Sequence, residues 1–227
     1  EKTGRSPGDE TRSKLHATAM TELLLDSFIL LFVVIDPIGL APIYAGITHG
    51  DSAAQRRRMA VRGVLIAAAI LISFGLLGDA LLRSLGVGLP AFQIAGGLLL
   101  FLLAVEMVFA RQSGIRTATP REQDEAVHRR DVSVFPLAIP LIAGPGALTT
   151  VLLRVGESGD DLVAIGLVLA VIAAVLMLAL LSLLMATRIL KLMGETGANV
   201  VSRVLGVVLA ALAVQYVLNG LQAQAVF

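Results

Sequence analysis

Six stretches of this chain are each long and apolar enough to cross a lipid bilayer, and that feature fixes most of what it can fold into. A bilayer's hydrocarbon core is roughly 30 Å thick, so a spanning helix needs about 20 largely apolar residues. The stretches cover residues 23–45, 61–82, 89–110, 132–153, 162–189 and 200–221. Lipid offers no hydrogen bonds, so each span must satisfy its own backbone as a helix. The expectation is an all-α polytopic membrane protein. Composition agrees: 56% of the 227 residues are hydrophobic and 15% charged, against about 45–50% and 25% in ordinary soluble domains.

Several function classes drop out at this stage. The net charge is +1, too small for a general attraction to nucleic acid. There is no cysteine, so disulfides, thiolate metal ligands and thiol nucleophiles are excluded. His16, His49 and His128 are scattered without metal-ligand spacing. No His-Glu-x-x-His, Gly-x-Ser-x-Gly or Walker pattern occurs. We expect no enzyme activity, no metal and no cofactor.

Basic residues collect in cytoplasmic connections. Arg56, Arg57, Arg58 and Arg62 follow the first span, Arg111, Arg116, Arg121, Arg129 and Arg130 lie in the long central loop, and Arg188, Lys191 and Arg203 join the last two spans. The opposite side offers only Arg83 and Arg154 between spans. Both termini are therefore expected outward. Residues 1–20 are polar and lack the apolar core of a secretory signal; they read as a disordered tail. Residues 21–221 form one six-span domain, with repeat one at 21–110, a cytoplasmic loop at 111–131 and repeat two at 132–221.

The division into repeats rests on a nearly constant offset. Gly97 to Met107 parallels Gly206 to Tyr216 at an offset of 109, while Arg83 to Gly86 parallels Lys191 to Gly194, and Pro37 parallels Pro145, at 108. Three spans per unit force the second unit to enter from the opposite side. That gives an inverted-topology repeat, a construction common in secondary transporters.

Corresponding spans of the two units are interrupted. Asp36-Pro37-Ile38-Gly39 lies inside span one, and Gly144-Pro145-Gly146 inside span four after Pro136 and Pro140. Proline removes an amide donor and clashes with the preceding turn. Unwound backbone at membrane depth is tolerated where protein or a water-filled cavity satisfies it. Paired breaks related by a repeat point to a central site, with Asp36, Pro37, Gly39, Gly144, Pro145 and Gly146 as its backbone. Asp36 lies roughly 20 Å into its span at about 1.5 Å per residue, where an ionisable group costs about 2.5–3.5 kcal/mol on insertion scales. It either contacts a solute or coupling proton, or is held by the exposed amides of its own broken helix. Tyr44, Thr149 and Thr150 follow the breaks and offer hydroxyls to a polar solute. Glu106 and Gln215 are repeat-related and can line cavity entrances.

The motifs D-P-I-G-L-A-P-I-Y (36–44), F-P-L-A-I-P-L-I-A-G-P-G-A-L-T-T (135–150) and G-A-N-V-V-S-R-V-L-G-V-V-L-A-A-L-A-V-Q-Y (197–216) resemble the MarC family of bacterial inner-membrane proteins, from about Met20 to Leu221. The resemblance implies six spans, an inner-membrane location and distant kinship with the LysE group of exporters. It departs at Leu40, where many members carry Asn, which implies a less polar lining there. The function expected is secondary transport, with export of an unidentified small polar metabolite coupled to a proton or ion, and the lipid bilayer as partner. The alternatives are a non-transporting accessory or assembly protein and a passive channel. Oligomeric state is not set by the sequence.

Overall fold

The computed structural model describes residues 7–109, 131–159 and 161–225, and every regular element among them is helical. The elements run α1 (Pro7–Ile35), α2 (Pro37–Ile47), α3 (Ala53–Ser84), α4 (Leu89–Phe109), α5 (Ser133–Ile142), α6 (Pro145–Glu157), α7 (Leu162–Leu184) and α8 (Ala186–Ala225). Five stretches are each long and apolar enough to cross a membrane: Met20–Ile47, Ala53–Ser84, Leu89–Phe109, Leu162–Leu184 and Thr196–Gln224. The pair α5 and α6, bent by 58° at the break between them, is either a sixth, broken span or a re-entrant loop.

The limits differ from the sequence reading in three places. Residues 7–20, expected as part of a disordered tail, continue α1 outward to Pro7. No glycine or proline intervenes between Asp9 and Asp36, so the membrane-anchored helix already covers the nucleation cost and each further residue needs only propagation. The fifth span ends at Leu184 rather than at residue 189, because the chain turns at Met185 and starts again as α8. Within α8, Gly194 takes a left-handed φ of 66° that separates a short leading segment from the last span. The central loop lies outside the described residues except for Asp131.

The repeat seen in the sequence reappears as a pattern of packing. If α1 and α2 correspond to α5 and α6, α3 to α7 and α4 to α8, contacts exchange on going from one half to the other. The broken span of the first half packs on α7, and that of the second half packs on α3. The last helices of the two halves, α4 and α8, share the most extensive interface. At that interface a Cβ on Gly97 would lie 2.8 Å from the Ala213 carbonyl, and one on Gly206 would lie 3.1 Å from the Ala104 carbonyl and 2.8 Å from Met107 Cβ. Both glycine–alanine contacts obey the 109 offset with partners exchanged, as an inverted repeat requires. Small residues let membrane helices approach closely, and van der Waals packing then holds them.

Outside this core the helices present apolar side chains outward, including Leu77, Leu98, Val204 and Val207, all more than half exposed. A water-soluble protein rarely carries such a continuous surface; a lipid-facing one requires it. At one end of the bundle Arg62 Nη1 lies 2.6 Å from Asp131 Oδ2, tying α3 to a residue two before the start of α5. The hydroxyl and amide of Ser133 hydrogen-bond to Asp131, and with Arg62 they hold its carboxyl below its ordinary 3.8.

Candidate functional site: two unequal helix breaks

The first break is one residue wide. Asp36 sits in the left-handed region (φ 47°, ψ 69°) and caps α2, accepting at Oδ1 from the Gly39 amide at 3.0 Å. Its other oxygen accepts from Ser202 Oγ of α8 at 2.7 Å. Ser182 Oγ of α7 donates to the Pro37 carbonyl. Two serines from the second half thus hold the break of the first. Asp36 is fully buried, and the desolvation that would otherwise penalise it is offset by hydrogen bonds to the carboxylate. Asp36 is thus placed as the cap of its own broken helix. Gly39 is required here, since a Cβ would stand 2.2 Å from Asp36 Oδ2 and 2.5 Å from Ser202 Oγ. Leu40, the departure from the family motif, is completely buried in apolar core.

The second break is wider and differently built. α5 winds in π-type turns, with extended backbone at Phe135 and Ile139 and cis peptide bonds before Pro136 and Pro140. Gly144 caps α6 with no side-chain hydrogen bond, and a Cβ there would meet the Pro140 carbonyl at 2.4 Å. Pro145 occupies the first turn of α6, where its missing amide costs nothing. Thr150 Oγ1 donates to the Gly146 carbonyl at 2.8 Å, and Thr149 is buried with its methyl against Gly96 of α4. Thr150 therefore serves its own backbone, as hydroxyls in membrane helices commonly do.

The two breaks meet. A Cβ on Gly146 would lie 3.2 Å from Val34, two residues before Asp36. Val34, Leu103 and residues 140–142 and 144–147 line a cavity of about 10 Å³, at the limit for one water. The centre is closed around the breaks. Tyr44 turns away from it and donates to the Arg56 carbonyl of α3. Glu106 is buried, whereas Gln215 lies on the exposed face of α8 and bonds Asn219 at 2.7 Å. The repeat-related pair is thus split between interior and surface. Among the described residues no three His, Cys, Asp or Glu side chains group as metal ligands.

Sequence reasoning missed Ser182 and Ser202, and also a polar group at the end of the bundle away from Arg62. There Arg154 Nη1 pairs with Glu157 Oε2 at 3.1 Å, Gln93 Nε2 donates to Glu157 Oε1 at 3.2 Å, and the Arg154 guanidinium stands 5.7 Å from the Tyr216 ring centre. These contacts join α4, α6 and α8. Buried Arg154 Nε and the Tyr216 hydroxyl find no hydrogen-bond partner among the described residues.

Comparison with known proteins adds three findings. A family model described as "MarC family integral membrane protein" matches residues 21–225. The chain is similar to the UPF0056 membrane protein YvbG of Bacillus subtilis, with 34% identity over 89% of this chain and 96% of the relative. It is also similar to a UPF0056 membrane protein of Archaeoglobus fulgidus (35% identity, 86% of this chain, 90% of the relative) and to YhcE of Escherichia coli (30%, 86% and 90%). No solved structure matches.

Proposed function

Because the chain belongs to the MarC family of integral membrane proteins, we propose that it is a secondary transporter of a small polar solute, not an enzyme, working in the inner membrane of a bacterium with both termini periplasmic. The observation that carries this reading is the exchange of packing between the halves. Each broken span rests on the other half, and the breaks meet at Val34 and Gly146. Rocking one half against the other would slide both breaks and open the cavity between them alternately to each side. The pathway residues are Asp36, Pro37, Gly39, Gly144, Pro145 and Gly146, with Tyr44, Thr149 and Thr150 flanking them. The Arg154–Glu157–Gln93 group then closes one end and the Tyr44–Arg56 contact the other.

A second reading has an observation in its favour. The Asp36 carboxylate is engaged by Gly39 and Ser202, and the cavity at the breaks holds no more than about one water. That packing suits a non-transporting accessory protein whose breaks are structural. Liposomes carrying the purified protein and a mixed metabolite extract separate the two. Release is followed by mass spectrometry with and without a pH gradient, for the wild type and Asp36→Asn, which keeps the capping oxygen and removes the charge. Gradient-dependent release lost in Asp36→Asn supports coupled transport. Equal release from protein-containing and empty vesicles under every gradient supports the accessory reading.

A further inference from the structure

A larger polar space lies away from the breaks. Between the end of α2, the start of α3 and the α7–α8 joint lies a pocket of about 90 Å³, several times the ~10–15 Å³ that admits a single water. Tyr44, Thr48, Arg56, Arg57, Ala186 and Thr187 line it. Arg56 is half-buried and fixed at two points: its carbonyl accepts from Tyr44, and its Nη1 donates to Thr187 Oγ1 at 3.3 Å. Neither Arg56 nor Arg57 has a carboxylate at ion-pair distance among the described residues. Asp51, whose charge reaches Tyr44, is an acidic group nearby. A guanidinium held in place, with donors left over and a neighbouring cation, matches the planar fork geometry that binds oxyanions.

The repeat supplies an internal control. At the offset of 108, Tyr44 and Ala186 correspond to Leu152 and Gly78, which are in contact: a Cβ on Gly78 would lie 2.7 Å from Leu152. Arg56 and Arg57 correspond to Ala164 and Ile165, and Thr187 to Asp79, which pairs with Arg83 at 2.8 Å. The opposite end therefore has apolar packing and a carboxylate where this end has space and two cations. The pocket is not a by-product of the duplicated architecture. We propose that it binds a phosphate-type oxyanion, supplied either as a free solute or as the headgroup of an anionic lipid, with Arg56 as the principal ligand and Arg57 and Thr187 in support. This inference stands whether or not the breaks form a transport pathway.

The chain has no tryptophan and two tyrosines, so Tyr216→Phe leaves Tyr44 as the only strong fluorophore, inside the pocket. In phosphatidylcholine bicelles, which add no aromatic residue, inorganic phosphate is titrated against chloride at matched ionic strength and Tyr44 emission is read. In nanodiscs containing phosphatidylglycerol, native mass spectrometry counts retained anionic lipid. We expect a saturable signal in one arm, weakened at least tenfold by Arg56→Gln and by Ala186→Leu. The latter fills the space as Leu152 does at the other end and leaves every charge in place, so it decides the matter if Arg56→Gln lowers helix content. Arg58→Gln, an exposed residue outside the pocket, should change nothing. A phosphate response identifies a free solute, and retained lipid identifies a headgroup. No saturable signal in either arm, or equal weakening by Arg58→Gln, overturns the proposal.

Discussion

The contact between Asp36 and Ser202 crosses from one half of the molecule to the other, and its strength can be worked out before it is measured. Asp36→Ala removes the cap of α2, costing about 1 kcal/mol, and leaves the buried Ser202 hydroxyl without its acceptor, costing about 1–3 kcal/mol more. Ser202→Ala removes one donor from a buried carboxylate that keeps the Gly39 amide, a loss of about 1.5–3 kcal/mol for a hydrogen bond to a charged group. Interhelical hydrogen bonds in membranes couple by about 0.6 kcal/mol on average and about 1.7 at most. A charged acceptor at zero exposure belongs at the upper end, so we expect a coupling energy of about 1–2 kcal/mol in the double-mutant cycle. The assay is reversible unfolding in mixed micelles on titration with SDS, followed by far-ultraviolet circular dichroism, for the wild type, both single variants and the double. A coupling below about 0.5 kcal/mol, the ordinary scatter of independent sites, would refute the clamp. Gly39→Ala offers an internal check. Its methyl would occupy the space of Asp36 Oδ2 and Ser202 Oγ, so Ser202→Ala on that background should cost almost nothing further.

Two other outcomes can be measured on the same preparations. Gly97→Ala and Gly206→Ala each drive a methyl into a neighbouring backbone or Cβ atom, so each should destabilise by about 1–3 kcal/mol. Their values should agree within about 1 kcal/mol and add when combined, and a large cost at one with none at the other would sink the exchanged packing. Asp131 is held below its ordinary 3.8 by Ser133 and then Arg62. A depressed carboxyl stabilises the fold at pH values above its unfolded pKa, and that contribution is lost as pH falls through the folded value. Unfolding followed from pH 6 to pH 2.5 should therefore show a loss below about pH 4 that is absent in Asp131→Asn; identical profiles would show that the contact is not formed.

The parts of the fold legible in the sequence are those that lipid imposes. A bilayer fixes the length of each span, which is why the candidate crossings could be read from runs of apolar residues. The breaks were legible because Pro37, Pro145 and their glycines act locally. What stayed hidden depends on partners far away in the chain. Ser202 lies 166 residues from Asp36 and Ser182 lies 145 from Pro37; neither serine carries a local signature that sets it apart. The inequality of the breaks was hidden too. It arises because one is closed by a single left-handed aspartate, while the other spreads over extended residues at Phe135 and Ile139. Arg56 and Arg57 were read as a topology signal, since nothing in their own segment reveals the space beside Thr187. The repeat offset, by contrast, carried directly into three dimensions through Gly97 and Gly206.

The interlocking of the halves bears on how the protein is made. When the first three spans have left the ribosome, the Asp36 carboxylate and the Pro37 carbonyl lack the serines that later hold them, because Ser182 and Ser202 are still untranslated. The first broken span also lacks α7, on which it will rest. Until the second half is made, the first half therefore carries an incompletely packed break. Only the arrival of the last two spans, whose serines lie 145 and 166 residues beyond the residues they hold, completes its burial. Truncation before α7 should thus leave the first half as a substrate for degradation, and the two halves expressed as separate chains should survive only together.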